Sequence, residues 1–96
     1  MKQVRWSRAA DRDLTNAAAE LSKYHPSIGR DLVVRAIASG RFLLEVPGAG
    51  ERLGAAGWRK WRIKRTRYLV IYRPIETGIE IGRLRHDRSN WRLVPD

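Results

Sequence analysis

The sequence predicts an α+β fold in the order β-α-α-β-β-β, with a helical hairpin packed on one face of a small, mainly antiparallel sheet. Apolar residues recur at helical spacing in the first half and alternate in the second, and a Gly-rich segment at residues 47–57 separates the halves. A chain of 96 residues is long enough for one core and too short for two. Residues 1–96 are therefore predicted to form a single domain.

The chain is predicted to start with a short strand followed by a helix. Residues 3–7 form the strand, with Val4 and Trp6 on one face. Ser7 can then cap a helix over residues 8–24, because its hydroxyl can accept a hydrogen bond from the first helical turn. The alanines of this helix leave a thin face on which a second helix can pack closely.

A second helix is predicted after Pro26, because the residue before proline is disfavoured in the helical region and so ends the first. Ser27 is the predicted cap, and the apolar spacing continues to Leu44. Glycine lowers helix propensity, so we expect the helix to bend or break at Gly40.

Three strands are predicted in the second half, at residues 58–65, 68–75 and 79–86. The middle one is apolar on both faces, which favours a central position in the sheet, and the strand of residues 3–7 would join at an edge. Trp6 and Trp61 are predicted to lie in the core. Trp58 and Trp91 stand at element ends beside arginines, where they can stack on bases or anchor a partner peptide; Trp91 can instead simply cap the sheet.

The charge balance indicates an anionic partner. The net charge is +10, from 20 Lys and Arg against 10 Asp and Glu, and most of the excess lies in residues 58–96. The chain has no cysteine, which excludes a disulfide framework and a thiolate zinc site, and we expect neither a metal nor a cofactor. No apolar run is long enough to span a bilayer, so we expect no membrane association and a cytoplasmic location.

The strand of residues 58–65 carries a row of cations. Lys60, Arg62 and Lys64 alternate with Trp61 and Ile63, so the cations should share one face, at about the spacing of successive phosphates. Such a row is either a phosphate-binding surface or a solvated face. The carboxylates of the helical half, including Asp13, are scattered, which argues against a two-carboxylate catalytic site.

Further cations flank the next two strands, namely Arg67, Arg83, Arg85 and Arg88, and they accompany His86. Histidine exchanges protons near neutral pH, so His86 can act as a general base beside stabilising arginines or can be a structural group at a strand end. The candidate target-binding residues are Lys60, Arg62, Lys64, Arg67, Arg83, Arg85, His86, Arg88 and Trp91. If the protein is a nuclease, the catalytic candidates are Lys60, Arg62, Arg67, His86 and Arg88.

Three segments in this order resemble the RelE/ParE superfamily of bacterial toxins from type II toxin–antitoxin modules. They are Trp6-Ser7-Arg8 leading into a helix with Asp13-Leu14, the central Arg67-Tyr68-Leu69-Val70-Ile71-Tyr72-Arg73, and Ile79-Glu80-Ile81-Gly82-Arg83-Leu84-Arg85-His86-Asp87-Arg88. The resemblance implies a growth-inhibiting toxin with a cognate antitoxin. We expect the antitoxin to cover the basic protein with an acidic, amphipathic C-terminal segment.

The superfamily divides by mechanism, and the resemblance favours the ParE-like branch, which poisons DNA gyrase, over the RelE-like branch, which cleaves mRNA on the ribosome. Leu69, Asp87 and Trp91 occupy places where the nucleases often have an arginine, an arginine and a tyrosine. We therefore expect a binding toxin rather than an enzyme. The alternatives are a metal-independent mRNA interferase and a non-catalytic nucleic-acid-binding module.

Overall fold

The computed structural model describes residues 2–54 and 56–88. Their elements are β1 (Gln3–Trp6), α1 (Arg8–Ser22), α2 (Pro26–Glu45), β2 (Glu51–Arg52), β3 (Arg59–Arg62), β4 (Tyr68–Ile75) and β5 (Gly78–His86). A 3-10 turn at Pro47–Ala49 connects α2 to β2.

A five-stranded sheet has the order β1-β5-β4-β3-β2. β1 runs parallel to β5, and the other neighbouring pairs are antiparallel. β4 lies in the centre and β1 at an edge, as the apolar pattern predicted. The predicted α+β class, with a helical hairpin on a mainly antiparallel sheet, is confirmed.

The region before β4 differs from the prediction in two ways. β2 was not expected, because two residues inside a Gly-rich segment are too few to show alternation; it pairs Glu51 with Lys60 and Arg52 with Arg59. β3 is also shorter than the predicted strand over residues 58–65. It ends at Arg62, and the chain then turns with Arg65 in the left-handed region at φ 62°.

Different residues cap the two helices. Ser7 caps α1 as predicted, with its Oγ accepting from the Ala10 N–H at 3.0 Å, but the helix ends at residue 22 rather than 24. The predicted cap of α2 by Ser27 is wrong. The α2 cap is His25, whose Nδ1 accepts from the Ser27 N–H at 3.2 Å. Pro26 then fits the first helical position, where its missing N–H costs nothing.

Close packing explains the two buried glycines of α2. A Cβ on Gly29 would overlap Ser22 Oγ and lie 2.5 Å from the Ala18 carbonyl oxygen, so glycine lets the two helices approach closely. The helix does not break at Gly40, since α2 continues to Glu45. A Cβ there would lie 3.2 Å from Val4, so the missing side chain instead brings α2 close to the sheet.

The core lies between the helical hairpin and one face of the sheet. It includes Leu14, Leu32 and Leu43 from the helices and Ile63, Val70, Tyr72, Ile81 and Leu84 from the sheet side. Trp58, predicted as a possible partner contact, is only 4% exposed and packs with Leu53 and Ile71 on the opposite face. The guanidinium of Arg73 lies 4.5 Å from the Trp58 ring centroid, so this cation–π contact covers an internal residue.

Candidate functional site

The register of the last three strands places basic side chains on the sheet face opposite the helices. Residues paired across antiparallel strands share a face. Arg62, Leu69 and Arg85 therefore form one row, and Lys60, Ile71 and Arg83 form the next. Trp61, Val70 and Leu84 point the other way, toward the core. We call Lys60, Arg62, Arg67, Arg83 and Arg85 the basic sheet face.

A carboxylate lies among the cations at the open end of this face. Asp87 Oδ2 is 3.4 Å from Arg62 Nη1 and 4.0 Å from Arg67 Nη1. Its backbone N–H donates to the Arg67 carbonyl oxygen at 2.8 Å, which extends the β4–β5 pairing by one residue. The two guanidinium groups remain largely exposed, at 53% and 65%. The arginines and Asp87 together thus form a charged cluster of net charge +1.

His86, the candidate general base, is adjacent in sequence to Arg85 and starts from the other face of β5, but its Nδ1 lies 3.1 Å from Asp87 Oδ1. Its ring meets the Tyr68 ring edge-on, with 5.1 Å between centroids, and both residues border a cleft with Leu21 and Ile28. Burial, and then the Glu20 charge, raise the pKa of the Tyr68 phenol, so Tyr68 stays protonated at neutral pH and cannot accept a proton. His86 and Arg67 border the same cleft, and the Asp87 carboxylate lies between His86 and the two arginines, so the groups for phosphate binding and for proton transfer are separated by a negative charge.

Arg83 is engaged in an internal ion pair. Asp13 Oδ2 lies 2.7 Å from Arg83 Nε, and its Oδ1 accepts from Arg83 Nη2 at 3.1 Å. Asp13 Oδ2 also accepts from the Leu84 N–H at 3.1 Å, where the edge of β5 extends beyond β1. The hydrogen bonds that Arg83 donates to Asp13 raise the pKa of Arg83. The expectation that the helical carboxylates are merely scattered on the surface is wrong for Asp13, which ties α1 to the sheet.

The remaining candidates are dispersed. Lys60 lies 3.4 Å from the Glu51 carboxylate, so β2 supplies it with a counter-charge. Lys64 is in the turn after β3 rather than in the predicted row, since the strand ends at Arg62. Arg88 is exposed at the end of the described segment, and Trp91 lies outside the described residues.

An apolar groove with a cationic rim opens between α2 and β3. Phe42 and Trp61 stack within it, with 5.2 Å between ring centroids and 27° between ring planes. The groove has a volume of about 640 Å³ and is lined by Arg35, Ala38, Ser39, Phe42, Trp61, Arg62, Lys64 and Arg65. We call it the tip groove. Its four cations and two aromatic rings suit a ligand that is both apolar and acidic.

The sequence patterns predicted the cations of this region but not the groove. Phe42 and Arg35 belong to α2, and neither stood out as a candidate. A signal was present in the helix, where Ile28, Val34, Ile37 and Phe42 remain exposed although they are apolar. A helix that packs on a core needs only one apolar stripe. Additional exposed apolar residues are typical of a helix that also contacts a partner.

Comparison with known proteins identifies the family. The sequence model of the ParE toxin of the type II toxin–antitoxin system parDE matches residues 4–91. The chain belongs to the ParE toxin family. A solved structure of a chromosomal ParDE toxin–antitoxin system from P. aeruginosa has the same fold, with a TM-score of 0.77 and 21% identity. The match covers 90% of this chain and 96% of that one. No curated protein sequence matches.

The ParE-like toxin carries no cluster of three or more metal-ligating side chains within residues 2–54 and 56–88. Over the same residues, neither helix is long and apolar enough to cross a bilayer. Of the nuclease candidates, Arg62 and Arg67 are brought together, with Lys60 in the next row of the same face. The structure thus offers a basic surface and an apolar groove for binding.

Proposed function

We propose that this ParE-family protein inhibits growth by poisoning DNA gyrase and that a cognate antitoxin neutralises it, both acting in the cytoplasm. The observation that carries the proposal is the carboxylate of Asp87 between Arg62 and Arg67. This carboxylate places a negative charge between the two arginines and His86, which opposes binding of a reacting phosphate there. A surface built in this way supports docking better than phosphate chemistry.

The test is a supercoiling assay with purified toxin and purified gyrase. We expect inhibition together with accumulation of cleaved DNA, and we expect Arg62→Ala to weaken it. Arg30→Ala is the matched control, because it removes one exposed arginine from α2 outside the basic sheet face. If purified toxin neither inhibits supercoiling nor increases cleaved DNA, gyrase is not the target.

The alternative activity is cleavage of mRNA on the ribosome, and one observation favours it: Lys60, Arg62 and Arg67 do lie on one sheet face. Primer extension on translated transcripts would then show cuts at fixed codon positions. His86→Ala and Arg62→Ala should both abolish them. Intact transcripts during toxin-induced growth arrest would exclude this activity. No observation favours the third alternative, a non-toxic nucleic-acid-binding module.

We further propose that the antitoxin's acidic, amphipathic segment occupies the tip groove. Apolar side chains of the segment would cover the stacked Phe42 and Trp61, and its carboxylates would meet the cations of the rim. Burial of aromatic side chains at the centre of an interface usually supplies most of the binding energy.

Calorimetry with the antitoxin segment tests this location. Phe42→Ala should weaken binding by about 30-fold or more, as expected for an interface hot spot of about 2 kcal/mol. Val34→Ala is the control, because Val34 is also an exposed apolar residue of α2 but does not line the groove. Equal losses for the two variants would place the segment elsewhere on the helix.

A further inference from the structure

Asp87 satisfies the two arginines beside it poorly. Charge-assisted hydrogen bonds between an arginine and a carboxylate usually measure about 2.7–2.9 Å. The contacts from Asp87 Oδ2 measure 3.4 Å to Arg62 and 4.0 Å to Arg67, and each involves a single nitrogen. The carboxylate therefore neutralises part of the charge while leaving most donors of both guanidinium groups available.

The second oxygen of Asp87 is also poorly satisfied. Oδ1 lies 3.1 Å from His86 Nδ1, but that nitrogen accepts a hydrogen bond from the Arg88 N–H at 3.1 Å. A ring nitrogen that accepts carries no proton to donate, so Oδ1 receives no hydrogen bond from any residue in the described ranges. This arrangement holds the carboxylate in place mainly through its backbone rather than through its side chain.

Arg62 has a partner other than Asp87. Arg62 Nη1 donates to the Thr66 carbonyl oxygen at 3.1 Å, and Thr66 is itself fixed by its hydroxyl, which donates to the Ile63 carbonyl oxygen at 2.8 Å. On the same face, the buried Nε of Arg85 has no hydrogen-bond acceptor among the residues described. The turn after β3 thus keeps a cationic site assembled, and its neighbour has an unused donor.

We propose that Arg62 and Arg67 form a phosphate-binding site that Asp87 keeps closed by supplying its own carboxylate. A phosphate has more oxygens than a carboxylate and can bridge two guanidinium groups with short contacts. Asp87 is then a specificity-determining residue: it discourages nucleic acid from the basic sheet face and reserves that face for protein partners.

The test compares binding of a short single-stranded RNA to wild-type toxin, Asp87→Asn and Glu80→Gln, measured by fluorescence anisotropy at several salt concentrations. Glu80→Gln is the matched control. Glu80 is a shielded carboxylate paired with Arg73 at 3.1 Å in the same sheet, and the substitution makes the same change in net charge. Because neither gyrase nor antitoxin is present, the result is independent of the proposed function.

We expect Asp87→Asn to bind RNA about tenfold more tightly and to steepen the log–log salt dependence by about 0.7 for each phosphate gained. Adding Arg62→Ala to Asp87→Asn should return the affinity to the wild-type value. Inorganic phosphate should compete for the gain. If phosphate binds Asp87→Asn while RNA affinity does not rise, the site takes a free phosphate rather than a nucleic-acid backbone.

Three results would overturn the proposal. Equal gains for Asp87→Asn and Glu80→Gln would assign the effect to net charge. A gain that survives Arg62→Ala would place the RNA elsewhere. Tighter binding of an acidic peptide by Asp87→Asn, without a change for phosphate or RNA, would make the site a receptor for a protein carboxylate.

Discussion

Two aspartates contact arginines near the end of β5, and they are equally shielded from water: Asp13 is 19% exposed and Asp87 is 21% exposed. Asp13 binds Arg83 through both carboxylate oxygens, with a shortest contact of 2.7 Å, and also accepts a backbone N–H. Asp87 reaches Arg62 and Arg67 at 3.4 and 4.0 Å through one oxygen.

The aspartates are similarly shielded, so the difference between the pairs arises from their hydrogen bonds and from the greater exposure of Arg62 and Arg67, at 53% and 65% against 33% for Arg83. Asp13 completes the edge of β5 where β1 ends, so its loss leaves a peptide N–H and a partly buried guanidinium unsatisfied. Asp87 completes no backbone pairing with its side chain. One arginine–aspartate pair of this small domain stabilises the fold, and the other sets the charge of an open surface.

The largest expected effect is on the free energy of unfolding of Asp13→Ala. The change should cost about 2–3 kcal/mol, because it leaves the Arg83 charge and the Leu84 N–H without their partner. Urea unfolding followed by circular dichroism measures it. Asp31→Ala is the control, since Asp31 also pairs with an arginine, at 2.8 Å, but is exposed. Similar losses for the two variants would show that the Asp13 pair contributes no more to stability than an exposed ion pair.

An intermediate effect is expected for Tyr72→Phe. Like the Asp13 carboxylate, the Tyr72 hydroxyl has its hydrogen-bonding partners inside the protein. The Tyr72 hydroxyl donates to the Pro47 carbonyl oxygen at 2.7 Å and accepts from the Gly50 N–H at 2.8 Å. Removing it should cost about 1–2 kcal/mol at pH 7, since buried polar groups lose their partner. Urea unfolding at neutral pH measures this loss, with Tyr68→Phe as the control for a less enclosed phenol.

The stability difference between the wild type and Tyr72→Phe should also depend on pH. Burial raises the pKa of Tyr72 above its ordinary value of 10.0, and the smaller effects of Gly50 and Arg59 lower it only in part. The folded protein therefore holds this proton more tightly, so the contribution to stability is complete below pH 10 and is lost as pH rises through the folded pKa. Above pH 10 the stability of the wild type should fall more steeply than that of Tyr72→Phe. Parallel curves would contradict this.

The smallest effect is expected for Asp87→Asn, whose free energy of unfolding should stay within about 0.5 kcal/mol of the wild type, because its contacts are long and its arginine partners are exposed. Urea unfolding in low and high salt measures it, and neither condition should separate the two proteins by more. A loss of unfolding free energy comparable to that of Asp13→Ala would show that the Asp87 cluster stabilises the fold as much as the Asp13 pair does.

Much of the fold follows from local patterns, whereas the features that the patterns missed depend on tertiary contacts. The helical spacing of apolar residues predicted the helical hairpin, and the apolar run on both faces predicted the central β4. The hydroxyl of Ser7 predicted the cap of α1. His25 was missed as a cap because a ring nitrogen is an uncommon cap acceptor. Trp58 was placed wrongly because an aromatic residue beside arginines has the same local pattern whether it is covered or exposed.

In the candidate site, too, local patterns predicted some features and tertiary contacts determine the others. Alternation placed Lys60 and Arg62 on one face correctly, but it could not indicate that β3 ends before Lys64. The position of Asp13 along α1 did not reveal that it lies over the free edge of β5, since that contact joins residues 71 positions apart. The tip groove, likewise, exists only when α2 and β3 are brought together.

The pairing of the first strand with the last has a consequence for the order of events during synthesis. Ser7 donates its hydroxyl proton to the carbonyl of Gly82, a separation of 75 positions, and the pairing of Gln3 with Gly78 spans as much of the chain. Contacts between such distant segments form slowly and only after both have left the ribosome. A nascent chain of this toxin can build its helices early, but its sheet must wait for residues 78–86. The pairing of β1 therefore cannot form before β5 has been translated.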